Sequence, residues 1–184
     1  MKSVGIDLAG KSKNSTGFAI LEESRIISSI LHTDEEIIES CIEEGSEVIA
    51  IDSPLSFSSD GGFRKADLDL LKRGYRLFPP DFGGMKTLTK RGINISKYLV
   101  RQGFEVIEVH PLTSGKIIFD SKDRKHWITR LSESGFAMTS NLNEHEIDSI
   151  IAAITGNLYL KGKTEKLGER GNEIVIPTVQ LEDF

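Results

Sequence analysis

Ser3-Val-Gly-Ile-Asp-Leu8, Ser15-Thr-Gly-Phe-Ala-Ile-Leu21 and Arg25-Ile-Ile-Ser-Ser-Ile-Leu-His32 are three β-rich runs separated by short polar joints. Joints of that length connect antiparallel neighbours, so residues 3–32 read as a three-stranded meander. Directly after it, Thr33-x-x-Glu36 has the form of a capping box. Ile37, Ile38, Cys41 and Ile42 then recur at helical spacing as far as Gly45. Cys41 falls on the apolar face of that helix and reads as a core residue, not as a nucleophile.

From residue 47 onward the pattern alternates. Glu47–Ser53 (Glu-Val-Ile-Ala-Ile-Asp-Ser) is an apolar run typical of a buried central strand. Residues 54–66 form a Ser/Gly loop, and 67–80 read as short helix or irregular chain ending in Pro79-Pro80. Met85–Arg101 reads as a helix closed by Gly103. Phe104–Val109 reads as a strand ended by His110-Pro111, and Asp123–Glu133 as a helix. Asn143-x-x-Glu146 is a second capping box, and Ile147, Ile150, Ile151 and Ile154 carry an apolar face to about Leu160. Glu173–Ile176 has the composition of a late strand. Three meandering strands followed by helix–strand alternation predict an α/β fold, a mixed sheet with helices on its faces. With no repeat and no linker-like stretch, the expectation is a single domain over residues 1–184.

Composition narrows the class. Among 184 residues the one cysteine excludes an internal disulfide and suits a reducing compartment. No apolar run approaches the roughly 18 residues of a membrane span, and no signal-peptide pattern opens the chain. The expectation is a cytoplasmic protein without a membrane partner. The net charge of −5 hides an asymmetry. Residues 64–101 hold ten basic side chains against three acidic ones, a net +7, while the remainder holds 13 against 25, a net −12. A basic segment in an acidic chain either steers a polyanion to one face or is simply a solvated helical surface.

Gly5-Ile-Asp-Leu-Ala-Gly-Lys-Ser12 matches the phosphate-binding loop pattern G-x-x-x-x-G-K-[ST]. That motif works only where a strand leads through the loop into a helix N-terminus. Here only four residues precede Gly5 and the residues after Ser12 read as strand, so the match is refused.

Three acids stand out by position. Asp7 interrupts the first strand near its end, Asp52 closes Ile49-Ala-Ile-Asp52-Ser-Pro54, and Asp148 sits in the first turns of the last long helix. Glu108 lies in the later strand beside His110. Any one of them serves equally well as a cap or helix-dipole partner. Were the first and fourth strands neighbours, however, Asp7 and Asp52 would face one crevice that Asp148 completes. Clustered carboxylates repel unless a cation neutralises them, and their hard oxygens suit Mg²⁺ or Mn²⁺. His145, three residues before Asp148 on one helical face, is a candidate general base or outer partner of the site, while a histidine at a helix start often has no special role. Without a second histidine there is no zinc-protease motif.

Taken in order, Val4-Gly-Ile-Asp7-Leu-Ala, Ile49-Ala-Ile-Asp52-Ser-Pro54, Arg73-Gly-Tyr-Arg76, Phe78-Pro-Pro80, Val106-Ile-Glu108-Val-His110-Pro111 and His145-Glu-Ile-Asp148-Ser-Ile-Ile-Ala-Ala153 resemble domain-of-unknown-function family 429, a family of predicted nucleases with an RNase H-like fold. The resemblance runs from Val4 to Pro177. It implies an RNase H-like mixed sheet and an acidic centre of Asp7, Asp52 and Asp148, with Glu108 as a fourth member. It also implies Arg73 and Arg76 along the cleft, where guanidinium groups fork onto phosphate. Arg64 and Lys86, from the same basic segment, are further candidates for contact with substrate. One departure is that the family commonly reads His-Asp where this chain has His145-Glu146.

The reading that follows is hydrolysis of nucleic-acid phosphodiesters with Mg²⁺ or Mn²⁺ as cofactor. Two others stay open: a phosphotransferase handling nucleotides, and a non-catalytic binding module for nucleic acid or protein on the same fold. Trp127 is a further candidate, either for stacking on a base or, as for most tryptophans, for helix packing.

Overall fold

The computed structural model describes all residues from Met1 to Phe184. Strands β1 (Lys2–Asp7), β2 (Thr16–Glu22) and β3 (Arg25–Leu31) form the expected meander. They are followed by helix α1 (Asp34–Glu44), β4 (Val48–Asp52), α2 (Lys65–Lys72), α3 (Met85–Arg101) and β5 (Val106–Val109). Then come α4 (Pro111–Phe119), α5 (Arg124–Glu133), α6 (Glu144–Leu160), β6 (Thr164–Glu169), β7 (Asn172–Pro177) and a 3₁₀ turn at Leu181–Asp183. All seven strands belong to one sheet in the order β3-β2-β1-β4-β5-β7-β6. β1, β4, β5 and β7 run parallel, and β2, β3 and β6 are paired antiparallel.

The local signals act as their chemistry requires. Thr33 Oγ1 accepts the Glu36 amide at 3.1 Å, Glu36 Oε2 accepts the Thr33 amide at 3.0 Å, and Gly45 ends α1 at φ 57°. Asn143 and Glu146 cap α6 in the same reciprocal way. Each face of the sheet buries its own core. Val4, Ile6, Ile49 and Ile51 pack against Ile37 and Cys41 of α1 and Ile95 and Leu99 of α3. On the other face α6 lies across the sheet, and α4 and α5 pack beside it through Ile118, Trp127 and Leu131. Burying each such aliphatic side chain contributes about 1.5–3 kcal/mol against the entropy of ordering the chain.

Two elements lie outside the sequence reading. Pro111–Phe119 is helical because Pro111, which ends β5, is also well suited to a helix's first position. Thr164–Glu169 forms an edge strand against β7, although its alternation is too polar to signal one. Helix α2 stops at Lys72, and the chain beyond it to Pro80 is irregular. The phosphate-loop match is a turn: β1 leads through it into antiparallel β2, with no helix to receive a phosphate. Trp127 is fully buried, donates Nε1–H to the Ser121 carbonyl at 2.9 Å and stacks on Phe119, so it packs helices and offers no face to a base.

Candidate active site

Strand alternation determines which acids meet. In β4, Val48 and Ala50 pack toward α6, while Ile49 and Ile51 pack toward α1 and α3. Successive side chains alternate faces, so Asp52 continues the α6 side, and Asp7 continues the side of Gly5. Asp7 and Asp52 are register partners on adjacent parallel strands. With neighbouring strands about 4.8 Å apart, their carboxylates share the crevice at the C-terminal ends of β1 and β4.

Two glycines let α6 bring the third acid. A Cβ on Gly5 would stand 2.1 Å from the Ser149 carbonyl oxygen, and one on Gly17 would stand 1.9 Å from that of His145. Only glycine permits this approach of helix backbone to sheet backbone. The first turns of α6 therefore lie directly over β1 and β2. His145 Nδ1 comes to 2.6 Å from Asp7 Oδ2. Asp148, nearly one turn further along, is buried and gripped by Arg124 at the start of α5. Nε is 2.8 Å from one carboxylate oxygen and Nη2 is 2.6 Å from the other.

The three carboxylates feel one another. Burial, and then the charges of Asp7, Asp148 and Glu108, hold the Asp52 carboxyl well above the usual range, and Arg124 offsets this only in part. No hydrogen bond or ion pair stabilises the Asp52 carboxylate. Asp7 is also raised, first by burial and further by Asp148, against the lowering effects of His145 and Arg124. In this arrangement no three His, Cys, Asp or Glu groups form a metal-holding set. Arg124 occupies both oxygens of Asp148, and His145 occupies one of Asp7. Asp7 and Asp52, which share the cavity, and Asp148 beside them offer hard carboxylate oxygens with no thiolate among them, the donor type that Mg²⁺ or Mn²⁺ takes.

Glu108 lines the same cavity as Asp7 and Asp52 but is held by different partners. It lies between Ile107 and Val109, which face α6, and so projects to the opposite side of the sheet. There it meets Arg64 through two contacts of 2.6 and 2.7 Å and accepts the Leu55 amide at 2.8 Å. Burial raises its carboxyl, and Arg64 pulls it back down. Arg64, expected at the substrate, is itself buried and shared between Glu108 and Asp67. The pair anchors the start of the 54–66 loop to β5.

The basic segment is divided rather than continuous. Lys65 and Lys72 approach Asp69, Arg73 pairs with Glu165 of β6 at 2.5 Å, and buried Arg91 ties α3 to Asp34 and to the carbonyls of Ala9 and His32. Arg73 therefore faces the far edge of the sheet rather than the acids. Lys86 is exposed in the first turn of α3 and lines no cavity with the acids. Arg76 does: a cavity of about 490 Å³ opens at the strand ends, with Asp7, Asp52, Glu108, Arg76 and His110 in its wall. The residue that sequence reasoning missed is Arg124. It lies 24 positions from Asp148, and no periodicity links the two.

No family model and no curated protein matches the chain. Solved structures do. RuvC of Thermus thermophilus in complex with a Holliday junction substrate is 10% identical, with a TM-score of 0.56 over 88% of this chain and 96% of that one. Another Thermus thermophilus RuvC structure is 11% identical, with a TM-score of 0.53 over 96% and 100% of the two chains. At such identity the likeness bears on architecture. The mixed sheet of this chain, with helices on its faces, matches the RNase H-like architecture of these structures.

Proposed function

We propose that this chain is a metal-dependent nuclease of the kind its resemblance to domain-of-unknown-function family 429 implies, with Asp7, Asp52 and Asp148 as the acidic centre. The observation that carries this reading is the unpaired Asp52 carboxyl, in register with Asp7 and raised by the charges of Asp7 and Asp148. A protein that keeps an uncompensated acid among acids pays in stability, and a cation is the natural compensation. When bound, Mg²⁺ or Mn²⁺ supplies an activated water and charge stabilisation at the leaving oxygen of a phosphodiester. Asp7, Asp52 and Asp148 are the residues that would hold it. His145 fixes Asp7 through Oδ2 and leaves Oδ1 free. Arg124 holds both oxygens of Asp148 and orients that carboxylate. Arg76, in the wall of the same cavity, meets the nucleic-acid backbone. The junction-bound RuvC structure supports nucleic acid as the partner class.

A second reading has its own observation. Arg124 already pairs with Asp148 and the His145 ring already contacts Asp7, as in a binding module that needs no metal. Direct Mn²⁺ titration separates the two. The nuclease reading expects saturable binding to the wild type, weakened at least tenfold in Asp7→Asn and in Asp52→Asn. It also expects Mn²⁺-dependent cleavage of a nucleic-acid panel that is lost in both variants. Cleavage unchanged in both would overturn it, and oligonucleotide binding without metal uptake or cleavage would leave the module reading standing.

A further inference from the structure

Beside the acidic cavity lies a second one of about 410 Å³ with the opposite electrostatic character. Its wall holds Arg76 from the loop after α2, Lys116 from α4 and Lys122 from the loop after α4, together with Tyr75, His110 and Thr113. No acidic side chain lines it. None of the three cations is engaged in an ion pair, and Lys116 Nζ lies 5.2 Å from the centre of the Tyr75 ring. In a chain of net charge −5, three cations from three segments, none of them in an ion pair, surround one basin and give it a local positive potential. The two cavities share Arg76, His110 and Leu112, so the basin opens next to the acidic centre. The first turn of α4 borders it, and its N-cap residue His110 makes no side-chain capping hydrogen bond.

We propose that Arg76, Lys116 and Lys122 form a phosphate-binding subsite adjoining the carboxylate centre. Its anion is a phosphate group of the nucleic-acid chain, either a terminal monoester or an internal diester. The naming of nucleic acid as its source rests on the nuclease reading, whereas the affinity for phosphate does not. Arg76 supplies a planar fork and the lysines supply mobile point charges, the usual division of labour around phosphate. Because the subsite flanks the acids, a phosphate held there positions a neighbouring linkage over Asp7 and Asp52 instead of reacting itself.

The test is made in EDTA, where no cleavage competes. Inorganic pyrophosphate is titrated by calorimetry, and 3′-labelled single-stranded oligonucleotides, with a 5′-phosphate or a 5′-hydroxyl, are titrated by anisotropy. The proteins are the wild type, Lys116→Ala/Lys122→Ala and the control Lys90→Ala/Lys97→Ala on exposed positions of α3. All are first checked for native circular dichroism. The expected result is a loss of tenfold or more in Lys116→Ala/Lys122→Ala and less than twofold in the control. The slope of log affinity against log salt should fall by about 1.4 for two lysines on a single strand. A preference for the 5′-phosphate that disappears in the double variant identifies a terminal monoester, and equal weakening of both oligonucleotides identifies an internal diester. Equal losses in the double variant and the control, or no loss in either, would overturn the subsite. Pyrophosphate binding lost in the double variant, without any oligonucleotide binding, upholds the subsite and removes nucleic acid as its source. Mn²⁺-dependent cleavage with no basin effect removes the subsite and leaves the nuclease reading intact.

Discussion

Asp52 is the residue on which site chemistry and stability meet. Its carboxyl is raised by burial and by three neighbouring acids, so between the ordinary aspartate value and its raised one the folded state binds a proton that the unfolded state does not. Stability from that proton is present at low pH and is lost as pH rises through the raised value. Asp52→Asn removes the repulsion without removing the shape. In EDTA at pH 7 the variant should melt a few degrees above the wild type, since about 1 kcal/mol moves the midpoint of a chain this size by roughly 2–4 °C. The gap should close as pH falls toward 4. A calorimetric pH series checks this, and a variant less stable than the wild type at pH 7 would contradict the repulsion. Added Mn²⁺ should raise the midpoint of the wild type only.

At the scale of elements, the contact of α6 with β1 and β2 does the positioning. Helix and sheet backbones touch at Gly5 and Gly17, and that contact brings Asp148 and His145 to Asp7. Gly5→Ala or Gly17→Ala forces the helix away from the strands. Overpacking of this kind costs about 1–3 kcal/mol, and more where backbone must move. Both variants should unfold at lower denaturant concentration and, while still folded, bind Mn²⁺ more weakly although every acid remains. Undiminished metal binding in a folded Gly5→Ala protein would show that α6 does not set the centre. On the other face, Arg91 links α3 to the ends of β1 and β3 through Asp34, Ala9 and His32. A cation that sequence position assigned to a basic surface thus serves instead to join elements.

Across the whole molecule, Cys41 reports on cooperative opening. It is fully buried between α1 and the sheet, and burial pushes its thiol up to about 12. The thiolate is the reactive form, so a thiol reagent at neutral pH finds almost none until the core opens. Labelling of the native protein should be slower than that of the unfolded chain by the folded-to-unfolded ratio, and its dependence on urea should match global unfolding. Fast labelling in water would mean that α1 detaches on its own.

The local order of this protein is legible in its sequence because local order has a local cause. β-rich and apolar runs make β1 to β5, capping boxes start α1 and α6, and the acids at strand ends are visible as interruptions of apolar patterns. The antiparallel meander followed by parallel strands comes from the same spacing. Where polar alternation and a proline blurred the signal, at β6 and α4, the sequence was silent. Only the tertiary structure decided which charges meet. Arg124 on Asp148, Arg64 on Glu108 and Arg73 on Glu165 join residues 24, 44 and 92 positions apart. The cationic basin gathers three segments that share no periodicity. Such partners are chosen by how the sheet is ordered and how closely α6 lies upon it. Electrostatic attraction acts through space, and no pattern along the chain encodes the distance between residues that folding alone brings together.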